Sequence, residues 1–334
     1  MKNIILSLAL VLPLVLSAQY SSHFLQRFTE SGKTGWRFST ATAANYGDIG
    51  SEAVDLSYSN NSSTTRGAKG DYSVAMGYNT TASGYASTAM GGYTKASGYG
   101  STAMGSYPTA SGDYSTAMGS FTTASGLIST AMGSRATASD YASLSIGSYN
   151  SVNSSVTGSA TAFNTANAAF VIGNGTASNA KSDAFVVYFN GNATLAGDLT
   201  INSDERLKDN IQPLGSTLNK LHQIEAKTYS LKKDEEHTPK IGVLAQEVQA
   251  VFPELVTEGA DGILSVNYQG LVPVLINAIN EQELKMSEQE AKIAALEAQN
   301  EQLAIASQKI AALEEMVRFL AVQQSQATSS VAAN

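Results

Sequence analysis

The sequence predicts a mainly β fold, a parallel β-roll (solenoid) fibre, followed by an α+β domain that ends in a trimeric α-helical coiled coil. Three observations predict it. Residues 73–156 repeat with a period of fourteen. Near residue 203 the composition changes from Gly, Ser, Thr, Ala and Tyr to Glu, Lys, Gln and Leu. From Leu271 onward, apolar residues recur at spacings of three and four.

The chain of 334 residues has room for two or three domains. Its net charge is −8 and it has no Lys/Arg block, so no nucleic-acid partner is expected. Residues 1–18, "MKNIILSLALVLPLVLSA", carry Lys2, an apolar run from Ile4 to Leu16 and then Ser17-Ala18. This is the pattern of a secretory signal peptide cut after Ala18. The run is well short of the roughly 20 residues a membrane helix needs, and no later segment could span as a helix. The expected product has no membrane span after signal removal and is secreted or held at a bacterial cell surface. With no cysteine it has neither disulfides nor a thiolate zinc site. His23, His222 and His237 are scattered, so no metal or other cofactor is expected. Residues 19–58 form an N-terminal region without a clear pattern.

The repeat comes next. Successive copies read SVAMGYNTTASGYA (73–86), STAMGGYTKASGYG (87–100), STAMGSYPTASGDY (101–114), STAMGSFTTASGLI (115–128) and STAMGSRATASDYA (129–142), then SLSIGSYNSVNSSV (143–156). Degenerate copies run on through 157–170, and residues 59–183 are assigned to the repeat region. Disordered tracts do not hold Ala, Met and Gly at fixed places, and two glycines per copy oppose a helix. Each copy reads as two short strands, x-A-M-G and x-T-A-S, with turns at Gly and at Ser-Gly. In "STAMG", alternation puts Ser, Ala and Gly on one face and Thr and Met on the other. Fourteen residues then make one two-stranded coil, and stacked coils make a solenoid. Its thin interior buries little apolar surface, which points to association of three chains through one face.

This S-x-A-x-G…A-S-G pattern resembles the head of trimeric autotransporter adhesins over residues 59–170. The resemblance implies a left-handed parallel β-roll, a homotrimer, and a host or environmental surface ligand. Those adhesins end in a membrane β-barrel, whereas this chain ends "QQSQATSSVAAN", polar and without alternation. Self-anchoring is therefore not expected.

Residues 184–202 alternate around Gly and Asn turns and read as a β stem. Then comes "SDERLKDNI", from Ser203. Taken alone, this is a solvated charge run with Ser or Asp capping a helix. The text downstream, "KIGVLAQEVQAVFPELV" (240–256) and "GILSVNYQGLVPVLINAINEQ" (262–282), together with the S-D-x-R-L-K opening, resembles the C-terminal chaperone domain of phage tailspikes such as endosialidases. A related self-cleaving domain occurs in myelin regulatory factor. For residues 203–284 the resemblance implies a unit that assembles as a trimer, helps the upstream fibre trimerise, and cuts itself off. It implies Ser203 as nucleophile, Lys208 as base and Asn202–Ser203 as the scissile bond, with Asp204 and Arg206 as supporting, positioning groups.

The chemistry agrees. A serine hydroxyl needs a base, and lysine serves only as the free amine, which burial or a nearby positive charge such as Arg206 would favour. Five residues turn a helix by about 500°, and along a strand they face opposite sides. The pair can meet only if Ser203 precedes a helix or bend, or if Lys208 comes from a neighbouring protomer.

Residues 266–323 are expected to be mostly helical, with Leu271, Val274, Leu275, Ala278 and Ile279 on one stripe. Within 285–323, Ile293, Leu296, Asn300 and Leu303 read as a-d-a-d, and Ile310, Leu313, Val317 and Leu320 read likewise after a register break. A trimeric coiled coil is expected there, followed by a polar tail, 324–334. The leading function is a secreted homotrimeric adhesin-like fibre whose C-terminal domain is an auto-cleaving assembly chaperone, a serine endopeptidase that turns over once on itself. The alternatives are a structural fibre that keeps its trimerisation domain, and a phage-type tail fibre, which would need no signal peptide. A surface-glycan hydrolase fits poorly, because Asp113 and Asp140 are isolated carboxylates.

Overall fold

The computed structural model describes residues 24–152, 155–232, 234 and 236–331. The expected signal peptide lies outside these residues, as do residues 19–23 and the end of the polar tail. The chain divides between Asn202 and Ser203 into two compact units.

The first unit begins with an antiparallel hairpin of β1 (Leu25–Glu30) and β2 (Lys33–Phe38). β2 pairs in parallel with β3 (Val54–Tyr58), where the solenoid starts. Arg37, only 1% exposed, ties this end together. Its guanidinium pairs with Asp55 at 3.1 Å and Glu30 at 3.0 Å and lies over the Tyr46 ring. A buried ion needs such full pairing to be tolerated.

From β3 each coil adds a five-residue strand to a twelve-stranded sheet and, on the other side, a two-residue strand to a six-stranded sheet. Neighbouring strands are parallel and in register one repeat apart: Thr88 against Thr102, Ala89 against Ala103, Met90 against Met104. Ala89, Ala103 and Ala117 of the long sheet and Ala96, Ala110 and Ala124 of the short one are fully buried between the two sheets. Ser87 and Ser101 are buried with them, while Thr and Met occupy the opposite, partly open face. The interior is one methyl thick on each side, which is why alanine recurs there.

The corners use positive φ at residues other than glycine as well. Gly91, Gly105 and Gly119 stand at φ +118 to +124°, and a residue with a side chain two positions beyond each turn glycine is left-handed too. Asn79, Ala86, Tyr93, Tyr107, Tyr114, Phe121, Ile128, Arg135 and Ala142 all have φ between +52 and +61°. That conformation costs about 1–2 kcal/mol for a residue with a Cβ. At one corner ring stacking offsets it: Tyr93, Tyr107 and Phe121 lie nearly parallel with centroids 4.5 and 4.7 Å apart, and Arg135 covers the last ring at 4.3 Å. Such pairs contribute about 0.5–1.5 kcal/mol each.

The regular coils end sooner than the sequence predicts. The short sheet stops at Thr137–Ala138, and the described residues of 151–167 contain no strand. Leu144–Ser148 and then Ala168–Asn174 continue the long sheet in parallel. Two antiparallel strands, Asp183–Tyr188 and Ala193–Leu195, then complete it, so the expected stem is the edge of the same sheet. Asp140 stands where earlier copies have glycine. At Gly112 a Cβ would sit 2.2 Å from the carbonyl oxygen of Gly126 in the next coil, whereas buried Asp140 has Thr157 and Ala168 against its side chain. The Asp140 carboxylate accepts from Thr157 and from the Ala168 amide.

In the second unit a single 3-10 turn, Glu205–Leu207, precedes α1 (Leu218–Leu221), a short hairpin, α2 (Ala245–Val251), a second hairpin and α3 (Leu271–Val331). Val248, Phe252 and Val274 form its core. The helix begins at Leu271, not 266, because Leu264–Val266 pairs with Val256–Glu258. Pro273 is tolerated in its first turn, where amides have no helical partner. The stripe expected to be continuous is split. Val274 and Ala278 are buried against the unit's own core, whereas Leu275, Ile276 and Ile279 are open. Farther along, Ile293, Leu296, Leu303, Ile310, Leu313, Val317 and Leu320 are all exposed. Among the described residues no helix is long and apolar enough to cross a membrane.

Candidate functional site

The segment at the start of the second unit has little regular structure, so its shape depends on a few local bonds. Asp204 is extended, and its carboxylate accepts the Arg206 amide at 2.9 Å, capping the turn Glu205–Leu207. The Lys208 amide closes the turn on the Glu205 carbonyl at 3.0 Å. This bend brings two side chains five residues apart onto one side. Lys208 Nζ donates to Ser203 Oγ at 2.8 Å. Ser203 stands just before a bend, one of the two geometries open to the pair.

Arg206 does not stand as an isolated cation beside Lys208. Its guanidinium makes a two-pronged pair with Asp204, at 3.0 and 2.6 Å. That pairing holds the Asp204 carboxyl below the usual carboxylate range and raises the Arg206 guanidinium. The four side chains therefore form two contacts, Ser203 with Lys208 and Asp204 with Arg206, all at the exposed surface. Asn202, the residue before Ser203, is exposed and ends the first unit.

The segment is moored at its far end by residues that sequence reasoning missed. The Glu281 carboxylate on α3 accepts the amides of Thr217 and Leu218, at 2.6 and 3.3 Å, and the Ser216 hydroxyl at 3.0 Å. Asn277, one turn earlier, donates to the Gly215 carbonyl and to Thr217 Oγ1. The only signal in the sequence was an Asn and a Glu four apart on a helix, which more often face water. The backbone amide of Thr217 is the largest cause holding the Glu281 carboxyl below its ordinary value, with the Ser216 hydroxyl and Leu218 amide adding to it. A depressed carboxyl stabilises the fold above its unfolded value, and that contribution is lost as pH falls through the folded one. Glu281→Gln is therefore expected to speed hydrogen exchange at Thr217 and Leu218 at pH 7. The wild type should approach the variant only below about pH 4. Equal exchange in the two proteins at neutral pH would show that the mooring contributes nothing. Among the described residues no group of His, Asp or Glu could hold a metal ion.

Comparison with known families adds two matches. Residues 203–257 match the chaperone of endosialidase, and residues 68–150 match the YadA head domain repeat in five overlapping segments. Among curated proteins, the chain is 37% identical over 109 residues to the long tail fiber protein Gp37 of Escherichia phage AR1, covering 30% of this chain and 9% of that one. It is 33% identical over 99 residues to the Gp37 of Salmonella phage S16, covering 27% and 13%. The chain thus spans about a tenth of the length of these relatives. The matches fall in the order head repeats, at 68–150, and then chaperone domain, at 203–257.

Proposed function

We propose that this protein is a secreted homotrimeric adhesin-like fibre whose second unit is an intramolecular chaperone. That unit drives assembly of three chains and then releases itself at the Asn202–Ser203 bond. Ser203 Oγ attacks the Asn202 carbonyl, Lys208 takes the hydroxyl proton and delivers it to the departing Ser203 amine, and water later frees the Asn202 ester. Asp204 and Arg206 hold the turn that aligns the pair. One observation carries this reading: a Ser–Lys contact of 2.8 Å at the first residue of the chaperone-like unit, where the chain divides. Burial of the exposed pair on assembly would favour the free amine that lysine needs as a base. Cutting would then wait for assembly.

The test is the mass spectrum of the purified protein. A C-terminal piece of 132 residues, 203 to 334, together with a trimeric N-terminal piece is expected. An intact trimer would instead make the second unit a retained cap. The Gp37 relatives favour a phage-type tail fibre as the second reading. Expression in an exporting bacterium separates the two: the adhesin-like protein should begin at Gln19 outside the cytoplasm, and a tail fibre should keep Met1 or Lys2.

A further inference from the structure

We infer that the end of the solenoid remote from Asn202 carries a binding site for neutral saccharides. A cavity of about 560 Å³ opens there, between the end of β2, the 3-10 turn Ala43–Asn45 and the end of β3. That volume lies within the range of small-ligand sites, about 300–1,000 Å³. Phe38, Tyr46 and Tyr58 supply aromatic surface, and Thr42, Asn45 and Asn60 supply hydroxyl and amide groups.

In the aromatic row along the roll, the first ring differs from those that follow. Tyr93, Tyr107 and Phe121 cover one another's faces, and Tyr78 packs edge-on against Tyr93. Tyr58 is the first ring of the row, stacked at 6.2 Å on Tyr78, and no other described ring packs on it. It is 64% exposed and lines the cavity. An open aromatic face beside amides suits a pyranose ring, whose C–H face stacks while its hydroxyls bond. Asn45 Nδ2 donates to the Ser59 carbonyl, and Asn60 Oδ1 accepts from the Tyr78 hydroxyl. Among the described residues this leaves Asn45 Oδ1 as an acceptor and Asn60 Nδ2 as a donor for a ligand. Among the described residues no Asp, Glu, Lys or Arg lines the cavity, and Arg66 nearby is held by Ser59 and Asn61. Burial raises the Tyr46 phenol, so it stays neutral. Uncharged sugars therefore fit better than sialylated or phosphorylated ones.

The inference extends the fibre reading by naming its ligand class, and it is independent of the cutting chemistry, since the cavity lies wholly in the first unit. The test is saturation-transfer NMR on the full chain with cellotetraose, maltotetraose, chitotetraose and lacto-N-tetraose, using sialyllactose and glucose 6-phosphate as charged comparators. At least one neutral sugar should bind with a Kd at or below about 1 mM. Tyr58→Ala should weaken it about tenfold or more and Tyr58→Phe little, while Tyr114→Ala, in a second row in which Tyr114 packs on Tyr99 and Tyr99 on Tyr85, should leave it unchanged. Fragment masses on the same samples should be unaffected by Tyr58→Ala, which separates failure here from failure of the cleavage reading. No transfer from any neutral sugar, preference for a charged one, or full binding by Tyr58→Ala would overturn the inference.

Discussion

Ser203→Ala is expected to leave the chain whole under conditions in which the wild type yields its 132-residue C-terminal piece. The substitution removes the hydroxyl that Lys208 contacts and little else, because Ser203 is exposed and its side chain makes no other bond among the described residues. Loss of a nucleophile lowers turnover by about a millionfold in serine hydrolases, so no fragment should be seen. Lys208→Ala should act alike. Lys208→Arg should fail too, because a guanidinium stays protonated and cannot accept the proton. Leu275→Asp adds a separate arm. Leu275 is open on α3 whereas Val274 beside it is buried, so an aspartate at 275 spares the unit's own core while charging the stripe proposed for assembly. Reduced cutting in Leu275→Asp, with Ser203 and Lys208 untouched, would make cleavage dependent on assembly. Persistence of the same cut in Ser203→Ala would end the self-cleaving assignment and point to an outside protease.

Gly105→Ala should wreck the roll, while Gly92→Ala should pass almost unnoticed. Gly105 sits at φ +124°, and a Cβ there would stand 2.2 Å from the carbonyl oxygen of Gly119 in the next coil. That neighbour is backbone in a parallel ladder and cannot move without breaking register with the coils beyond it. The dihedral strain alone costs about 1–3 kcal/mol, and with the clash the total should reach about 4 kcal/mol or more. Gly92 is on the same five-residue strand as Gly91, yet nothing lies within 4 Å of a Cβ there and its φ is not positive. Alanine at 92 should change stability by less than about 1 kcal/mol, if anything upward. Solenoid unfolding is slow, so the comparison belongs on unfolding rates at fixed denaturant. Equal rates for the two variants would refute the coil-to-coil contact.

The repeat could be read directly because of translation. When each coil sits on a copy of itself, the residue one period away is the contact, and the fourteen-residue spacing is already the strand register. Alanine inside, Thr and Met outside and one coil per copy follow from alternation along "STAMG". The change of composition near Ser203 likewise marks the boundary between the units, since their residue preferences differ.

Tertiary structure decided what translation does not repeat. Asp140 and Asp113 look equally isolated in sequence, but Asp113 is exposed whereas Asp140 is buried, its carboxylate accepting from Thr157 and from the Ala168 amide. The left-handed corners fall on Tyr93 and Tyr107 as they do on Asn79, Ala86 and Ala142, because the path of the coil sets them, and stacking of the rings offsets part of the strain where tyrosine is present. The stripe on α3 divides at Val274 and Leu275 because the rest of the second unit packs on one flank alone. Ser203 and Lys208 are legible as a pair only through the resemblance of the opening motif, and their contact depends on the Asp204-capped turn. Glu281 finds Thr217 across 64 residues, a distance over which no pattern in the chain connects them. Periodic contacts are written in sequence because they are local in the repeat; single long-range contacts are chosen by the folded chain.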